Sequence, residues 1–247
     1  TFDVIETSVV KDHPIIITYT VTLDNTITPN LALESSALLT WTSLPGEQSI
    51  ERTGADGVDG TLNDYALADD ATATVADENT LVVTFADTYN NDEDDPEGKY
   101  VRIGDIVTYT ATIELQKGTT KNLTYTHTLP AGLTYISGTG KVANLITGDE
   151  VSVVEPEDKE GSSSLVWSFD SIVRGSDNDK DTITITYQAK VDQTGENQAG
   201  ELVPLASNAD LDYAGKNDNR DLSATLDLEA RQPKLNIELT STTGKQT

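Results

Sequence analysis

Closely spaced carboxylates are the residues of this sequence best suited to chemistry, and the chemistry they suit is binding of a hard cation. The candidate ligands occupy three short segments: Asp92, Asp94 and Asp95 in 91–97, Asp177, Asp179 and Asp181 in 177–181, and Asn217, Asn219 and Asp221 in 217–221. Calcium takes about six to eight oxygen ligands from a flexible backbone, and alternate-residue carboxylates in a turn supply them. We therefore predict that at least one segment binds Ca2+; solvated acidic turns are the alternative.

Residues with the chemistry of catalysis are scarce. The chain has no cysteine, and its only histidines are His13 and His127. Neither histidine has a serine or a carboxylate at a recognisable motif spacing. His127 lies on an alternating strand among threonines, so a solvated or core-edge position is expected. Segment 138–141, GTGK, lacks the full spacing of a phosphate-binding loop. We expect no enzyme activity.

The composition restricts the partners and the compartment. The chain has 247 residues, a formal net charge of -26, no cysteine and no methionine. Such a charge repels nucleic acid and anionic membrane surfaces, so neither is an expected partner. There is no run of about 18 apolar residues, so direct membrane insertion is not expected. The absence of oxidisable sulfur fits an extracellular protein of the cell surface.

Three segments show the period-two alternation of half-buried β-strands: 15–26, 104–115 and 182–194. The predicted inward residues are Ile17, Tyr19, Val21 and Leu23 in the first, Val107, Tyr109, Ala111, Ile113 and Leu115 in the second, and Ile183, Ile185, Tyr187, Ala189 and Val191 in the third. Trp41 and Trp167 are predicted core anchors, and 129–133, LPAGL, is a predicted tight turn. Helical periodicity is missing, so the pattern indicates an all-β, two-sheet sandwich.

The chain also contains an internal repeat. Segment 33–41, LESSALLTW, corresponds to 205–213, LASNADLDY, and 81–85, LVVTF, corresponds to 235–239, LNIEL. The repeat divides the chain into 1–80, the second half of one unit, 81–232, a complete unit, and 233–247, the opening strand of a further unit. The first copy carries an insertion at 43–70, predicted to be an exposed loop or hairpin.

The incomplete first copy should leave sheet edges unpaired. In the favoured explanation, the missing half lies upstream in a longer chain. In the other, a neighbouring molecule supplies strands, with the tail 233–247 as the obvious donor.

Five segments, in order, carry a family resemblance: GDIVTYTATIEL (104–115), LTYTHTLPAGLTYISGTG (123–140), LVWSFDSI (165–172), DTITITYQAKV (181–191) and ASNADLDY (206–213). They resemble the DUF11-type conserved repeat domain of large bacterial and archaeal surface proteins and fimbria-like adhesins. The resemblance implies tandem immunoglobulin-like antiparallel β-sandwich domains that serve as spacers or stalks. It implies no enzyme activity.

These observations predict a structural extracellular repeat module of an adhesin, fibre or surface-layer protein, which acts as a stalk and could polymerise by β-strand addition. Its expected partners are neighbouring copies of itself or flanking repeats, and possible further partners are host or environmental glycans. The alternative is a carbohydrate-binding surface module that uses the 43–70 loop. Such a module needs at least two exposed aromatic residues beside one loop, and Tyr65 is the one aromatic residue within this loop.

Overall fold

A computed structural model describes residues 16–42, 64–87, 99–144, 151–157, 163–175, 181–193 and 203–231. These residues form thirteen β-strands: β1 Ala32–Thr42, β2 Asp64–Thr74, β3 Thr80–Asp87, β4 Tyr100–Arg102, β5 Ile106–Leu115, β6 Gly118–Thr128, β7 Leu133–Tyr135, β8 Lys141–Ala143, β9 Val151–Val153, β10 Ser164–Arg174, β11 Asp181–Val191, β12 Val203–Asp212 and β13 Ser223–Arg231. The described residues contain no helix, and hence none long and apolar enough to span a membrane.

Two sheets pack face to face between β3 and β13. One has the order β10-β6-β12-β13-β4, and the other has the order β3-β5-β11-β8-β9, with β7 also paired to β11. The ladders are antiparallel except for the one between β4 and β13. This arrangement confirms the predicted all-β fold class, an immunoglobulin-like antiparallel sandwich.

The alternation of β5 and β11 positions the core. Along β5, buried and partly buried residues alternate without interruption, and Tyr109 and Ile113 are fully buried. In the ladder between the two strands, Tyr187 lies opposite Tyr109 and Ile183 lies opposite Ile113. The inward residues predicted for both strands are therefore confirmed, and the threonines between them form the outer face.

The predicted turn at 129–133 is also confirmed. The Leu133 N–H donates to the Pro130 carbonyl at 3.2 Å. Gly132 has a φ of 101°, in the left-handed region that favours glycine. The sequence LPAGL thus reverses the chain between β6 and β7.

Aromatic side chains from both sheets form the centre of the core. Tyr109 and Tyr187 stack with ring centroids 5.5 Å apart, and Trp167 lies 4.7 Å from Tyr187. The Tyr187 hydroxyl lies 3.0 Å from the Tyr125 hydroxyl, which joins the sheets by a hydrogen bond. Trp167 is 1% exposed, so its predicted role as a core anchor is confirmed.

His127 belongs to this core, and the prediction of a solvated or core-edge position among the threonines is wrong. Its side chain is fully buried, Nδ1 is hydrogen bonded to the Tyr187 hydroxyl, and Tyr109 packs edge-on at 4.7 Å. The inward face of β6 continues through Leu123, Tyr125 and His127, so the strand keeps its period. Burial lowers the pKa of His127 to about 4, because desolvation penalises the imidazolium.

Strands β1 and β2 form a separate two-stranded antiparallel ribbon, in which Leu39 lies opposite Leu67 and Trp41 opposite Tyr65. The prediction that Trp41 is a core anchor is wrong, because its side chain is 44% exposed and stacks on Tyr65. Residues 64–70 of the predicted insertion belong to β2, and 43–63 lie outside the described residues.

Segment 16–24 does not form the strand predicted for 15–26. It is assigned to no strand, and Ile17, Tyr19 and Val21 are each about 70% exposed. The equivalent strand of the complete sandwich, β11, is paired along its length with β5. The described residues before β3 contain no β5-like strand, so the alternation of 16–24 has no ladder to join. Tail 233–247 lies outside the described residues, and the division into repeats stays a prediction.

The burial of His127 predicts a distinct loss of stability in acid. Below its ordinary pKa of 6.5, the unfolded chain binds a proton that the folded chain takes up only near pH 4. The free energy of unfolding should therefore lose about 3 kcal/mol from this group as the pH falls from 7 to 4. His127→Phe should remove this loss, which urea titrations at several pH values measure as a difference from wild type. Parallel pH profiles for the two proteins would contradict the assignment.

Candidate functional site

The candidate site is the junction, defined as the contact of segments 25–31 and 75–79 with the turns 115–119 and 213–220 of the complete sandwich. The turn 115–119 connects β5 to β6, and the turn 213–220 lies between β12 and β13. Both turns are at the end of the sandwich where β3 begins, because Thr80 lies opposite Glu114. The junction therefore joins the ribbon side of the chain to one end of the sandwich.

Backbone hydrogen bonds connect segment 25–31 to β6. The Thr119 N–H donates to the Ile27 carbonyl at 2.7 Å, and the Thr119 hydroxyl donates to the Asn25 carbonyl at 2.6 Å. Asp24 directly precedes this segment and forms a turn there, because its carboxylate accepts the N–H of Thr26 at 2.9 Å. Both acceptors are backbone carbonyl oxygens, so these bonds do not depend on the side chains of segment 25–31.

Two glycines make room for that segment. A Cβ on Gly118 would lie 2.6 Å from the Ile27 carbonyl oxygen, and one on Gly215 would lie 2.5 Å from the Pro29 carbonyl oxygen. Carbon atoms do not approach carbonyl oxygens this closely without displacement of the backbone. Gly118 and Gly215 also have positive φ angles, of 117° and 82°. The two turns thus require glycine for conformation and for close approach.

Asp77 is the centre of the junction. Its carboxylate is 3% exposed and accepts hydrogen bonds from the Tyr213 hydroxyl at 2.6 Å and the Asn217 N–H at 3.0 Å. The Arg220 guanidinium forms an ion pair with it at 3.0 Å and also donates to the Asp77 carbonyl. One buried carboxylate therefore fixes three points of the turn between β12 and β13.

Asn79 extends the contact to the other sheet. Its side-chain oxygen accepts the Gln116 N–H at 2.8 Å, and the Gln116 side-chain oxygen accepts the Glu78 N–H at 2.7 Å. Arg220 donates to the Asn79 carbonyl as well. Segment 75–79 is thereby held by the β5–β6 turn on one side and by Arg220 on the other.

The electrostatics of the junction follow from burial. Desolvation is the main cause that raises the pKa of Tyr213, and its hydrogen bond to the Asp77 carboxylate raises that pKa further. The Tyr213 hydroxyl consequently remains a neutral donor at physiological pH. The positive charge opposite Asp77 comes from Arg220, whose side chain is 26% exposed. Asp77 and Arg220 were not among the predicted site residues, because they are 143 residues apart and belong to no motif.

One predicted calcium segment lies at this junction, and two of its side-chain oxygen atoms accept hydrogen bonds from nearby residues. The Asn217 side-chain oxygen accepts the Asn219 N–H at 3.0 Å. The Asp221 carboxylate accepts the N–H and the hydroxyl of Ser223, at 3.1 and 2.6 Å, and these bonds lower its pKa. No group of three acidic, histidine or cysteine side chains able to hold a metal occurs among the described residues. The calcium assignment stays a prediction.

The other two segments lie almost wholly outside the described residues. Asp181 begins β11 opposite Leu115, at the junction end, while Asp177 and Asp179 lie outside the described residues. Asp92, Asp94 and Asp95 also lie outside them. Of the six predicted ligands in these two segments, the structure thus places Asp181 alone, at the junction end.

Comparison with known proteins gives structural similarity alone. No protein-family model and no curated protein sequence matches the chain. Similar solved structures include the T6 backbone pilin of serotype M6 Streptococcus pyogenes, with 14% identity, a TM-score of 0.41, and 65% of this chain and 37% of that chain covered. The pilus backbone RrgB of Streptococcus pneumoniae has 15% identity and a TM-score of 0.38, with 57% and 33% covered.

The collagen adhesin of Staphylococcus aureus is also similar, with 11% identity, a TM-score of 0.36, and 68% of this chain and 55% of that chain covered. The match thus spans about a third of each pilin and about half of this adhesin. The resemblance to DUF11 repeats rests on the sequence motifs and stays a prediction.

The junction predicts that Asp77→Asn destabilises the protein. The substitution leaves Arg220 without its ionic partner in a largely buried contact, so the free energy of unfolding should fall by about 2 kcal/mol. Asp212→Asn is the matched control, because Asp212 is 68% exposed and pairs with Lys216 at 3.5 Å. The control should change stability by less than about 0.5 kcal/mol. Urea titrations measure the free energy of unfolding of both variants. Equal losses would show that the buried Asp77–Arg220 ion pair stabilises the protein no more than the exposed pair does.

Proposed function

We propose that this chain is a structural repeat module of an extracellular surface fibre or adhesin, and that it acts as a stalk or spacer. The junction is the observation that carries the proposal. A stalk needs successive units held in one orientation, and here the preceding segment is fixed by backbone hydrogen bonds, two glycine contacts and the Asp77–Arg220 ion pair. A flexible tether would need none of these contacts.

The path of the chain through the sandwich supports the same role. The chain enters β3 at the junction end, because Thr80 lies opposite Glu114. It leaves β13 at the other end, where Arg231 pairs with Arg102. Entry and exit at opposite ends let units follow one another along a line. Tandem repeats of the predicted DUF11 type would then form an extended rod.

The amino-acid composition fits the proposed extracellular location. A net charge of -26 keeps an extended surface protein soluble and disfavours nucleic acid as a partner. The proposed partners are flanking repeats or neighbouring copies, and the proposed role involves no catalysis. Addition of strands from one chain to another is the proposed route of polymerisation.

A carbohydrate-binding module is the second candidate, and one observation favours it. Trp41 and Tyr65 stack with ring centroids 5.4 Å apart at the ends of β1 and β2 that flank 43–63. Trp41 is exposed and Tyr65 is partly exposed, so the pair supplies aromatic surface beside the loop, as a sugar-binding site would need. Specific binding on a glycan array, removed by Trp41→Ala, would favour this candidate over the stalk.

The stalk proposal is tested by filling the glycine contact of the junction. Gly215→Ala should loosen the junction, because the new methyl group meets the Pro29 carbonyl. Gly138→Ala is the matched control: its φ of 85° resembles the 82° of Gly215, and nothing lies within 4 Å of its Cβ position. Both variants should lose about 1 kcal/mol of stability through backbone strain.

Small-angle scattering separates the two glycine variants. Gly215→Ala should broaden the distribution of interatomic distances relative to wild type, whereas Gly138→Ala should reproduce the wild-type curve. If Gly215→Ala also scatters as wild type does, the junction does not fix the orientation of the units and the proposal fails.

Calcium binding to the acidic segments is part of the proposal. The nine predicted ligands would bind Ca2+ through carboxylate and amide oxygens, and the ion would reduce repulsion among the acidic side chains. Chelation should then lower the melting temperature and broaden the scattering distance distribution, relative to excess calcium. Magnesium at the same concentration is the control for ionic strength. Unchanged calorimetry and scattering on chelation would remove calcium from the proposal.

A further inference from the structure

Strand β1 repeats the inward-facing residues of β12. Every second position matches: Leu33, Ser35, Ala37, Leu39 and Trp41 in β1 correspond to Leu205, Ser207, Ala209 and Leu211 in β12 and to Tyr213 directly after it. Four of the five pairs are identical, and the fifth replaces one large aromatic residue by another. A strand with this inward face belongs to the interior of a sandwich.

The two copies differ in what covers them. In β12 and at Tyr213, the five side chains are between 0% and 4% exposed. In β1, Leu39 is 60% exposed and Trp41 is 44% exposed, and Leu67 on β2 is 64% exposed. The ribbon therefore presents an apolar face that the complete sandwich buries.

The complete sandwich shows which strand completes the edge. β12 pairs with β13 on one side and with β6 on the other, so that Leu211 lies opposite Tyr125 and Ala209 opposite His127. β1 pairs with β2 alone among the described strands. Its second edge is the counterpart of the edge that β6 occupies. By the same register, a β6-type strand would place its tyrosine opposite Leu39.

Charge favours the same strand. The ribbon strands β1 and β2 carry four acidic side chains and no basic one: Glu34, Asp64, Asp69 and Asp70. β6 has no acidic residue and has Lys121, and Lys117 directly precedes it. The other described strands of eight or more residues each contain at least one carboxylate. A β6-type strand would therefore meet the ribbon without repulsion.

We infer that the second edge of β1, which pairs with no described strand, binds a β6-type strand from the leading half of another repeat of this kind. The inference rests on the proposed function, because a fibre of such repeats supplies strands of this type. The added strand completes a three-stranded sheet whose inward face continues through Leu39 and Trp41. Main-chain hydrogen bonds supply affinity, and the alternate side chains supply register.

The tail 233–247 is a poorer donor for this edge. Its segment LNIEL corresponds to LVVTF in β3, and β3 pairs with β5 in the opposite sheet. A strand equivalent to β3 would have no ladder partner in the ribbon. The structure thus directs strand addition to a β6-type sequence.

The experiment uses a fluorescent synthetic peptide with the sequence of residues 117–129 and the full chain. Anisotropy should show saturable binding of one peptide per chain, and a scrambled peptide of the same composition should bind at least tenfold more weakly. Because Leu39 lies on the apolar face, Leu39→Asp should weaken binding at least tenfold. Val173→Asp removes an apolar residue of similar exposure, 50% against 60% for Leu39, from edge strand β10 of the sandwich and should leave binding unchanged.

A second variant tests the edge without altering the apolar face. The Leu211 N–H donates to Leu222, on the β13 side, so the N–H groups of the intervening residues of β12 point toward β6. By the same alternation in β1, the Leu38 N–H points away from β2, toward the edge that pairs with no described strand. Leu38→Pro removes that donor from an exposed position, where an edge strand tolerates proline. It should weaken peptide binding at least tenfold while circular dichroism stays unchanged.

Three results would overturn the inference: no peptide binding, equal binding of the scrambled peptide, or binding that survives both Leu39→Asp and Leu38→Pro. The scattering comparison of Gly215→Ala with Gly138→Ala does not involve the β1 edge. A failed peptide experiment beside a successful scattering experiment therefore rejects strand addition and leaves the stalk role intact.

Discussion

The structure depends on one constraint: the apolar inward face of an alternating strand must be buried against an opposite sheet. A strand with period-two alternation is stable when one neighbour pairs its edge and an opposite sheet covers its face. β12 has both, and its inward residues are buried. β1 has nearly the same inward residues and one edge partner among the described strands, and Leu39 and Trp41 remain exposed. The different burial of these two inward faces thus follows from their partners, with little difference in the inward residues themselves.

The junction meets a second requirement, which is the neutralisation of charge in an acidic protein. A carboxylate as buried as that of Asp77 costs free energy unless a positive group and hydrogen-bond donors surround it. Arg220 supplies the charge, and Tyr213 and the Asn217 backbone supply the donors. The planar guanidinium neutralises the Asp77 carboxylate and donates hydrogen bonds beside it, without any bound ion. Calcium, if bound, would act on the remaining acidic segments and not on Asp77.

The sequence predicted those parts of the fold in which the local pattern and the tertiary partners agree. The strands β5 and β11, the turn at Gly132 and the burial of Trp167 were predictable, because alternation and turn chemistry suffice for them. Segment 16–24 and Trp41 have the same local pattern, yet their exposure depends on strands that a local pattern does not include. His127 is buried because Tyr109 and Tyr187 accommodate its ring, and this complementarity is invisible in strand periodicity.

The site was less predictable than the fold for a related reason. Carboxylates at alternate positions are visible in a sequence, whereas the Asp77–Arg220 contact joins a linker to a turn 143 residues away. Gly215 and Gly118 look like ordinary turn glycines until the carbonyls of Pro29 and Ile27 are placed against them. In the proposed stalk, function would depend on contacts between units, and such contacts leave short-range sequence patterns almost unchanged.

Tension along such a stalk would act on the ladders in a particular direction. A pull that enters at Thr80 and leaves at Arg231 draws β3 along β5 and draws β13 along β4. β4 and β13 run parallel, with Val101 and Ala230 fully buried in their ladder. Force applied at opposite ends of parallel strands shears their hydrogen bonds together, so that no single bond opens first. The antiparallel ladder between β3 and β5 is also loaded along its strands. The same force would pass through the junction and then through these two ladders. Each unit would therefore transmit tension as a whole.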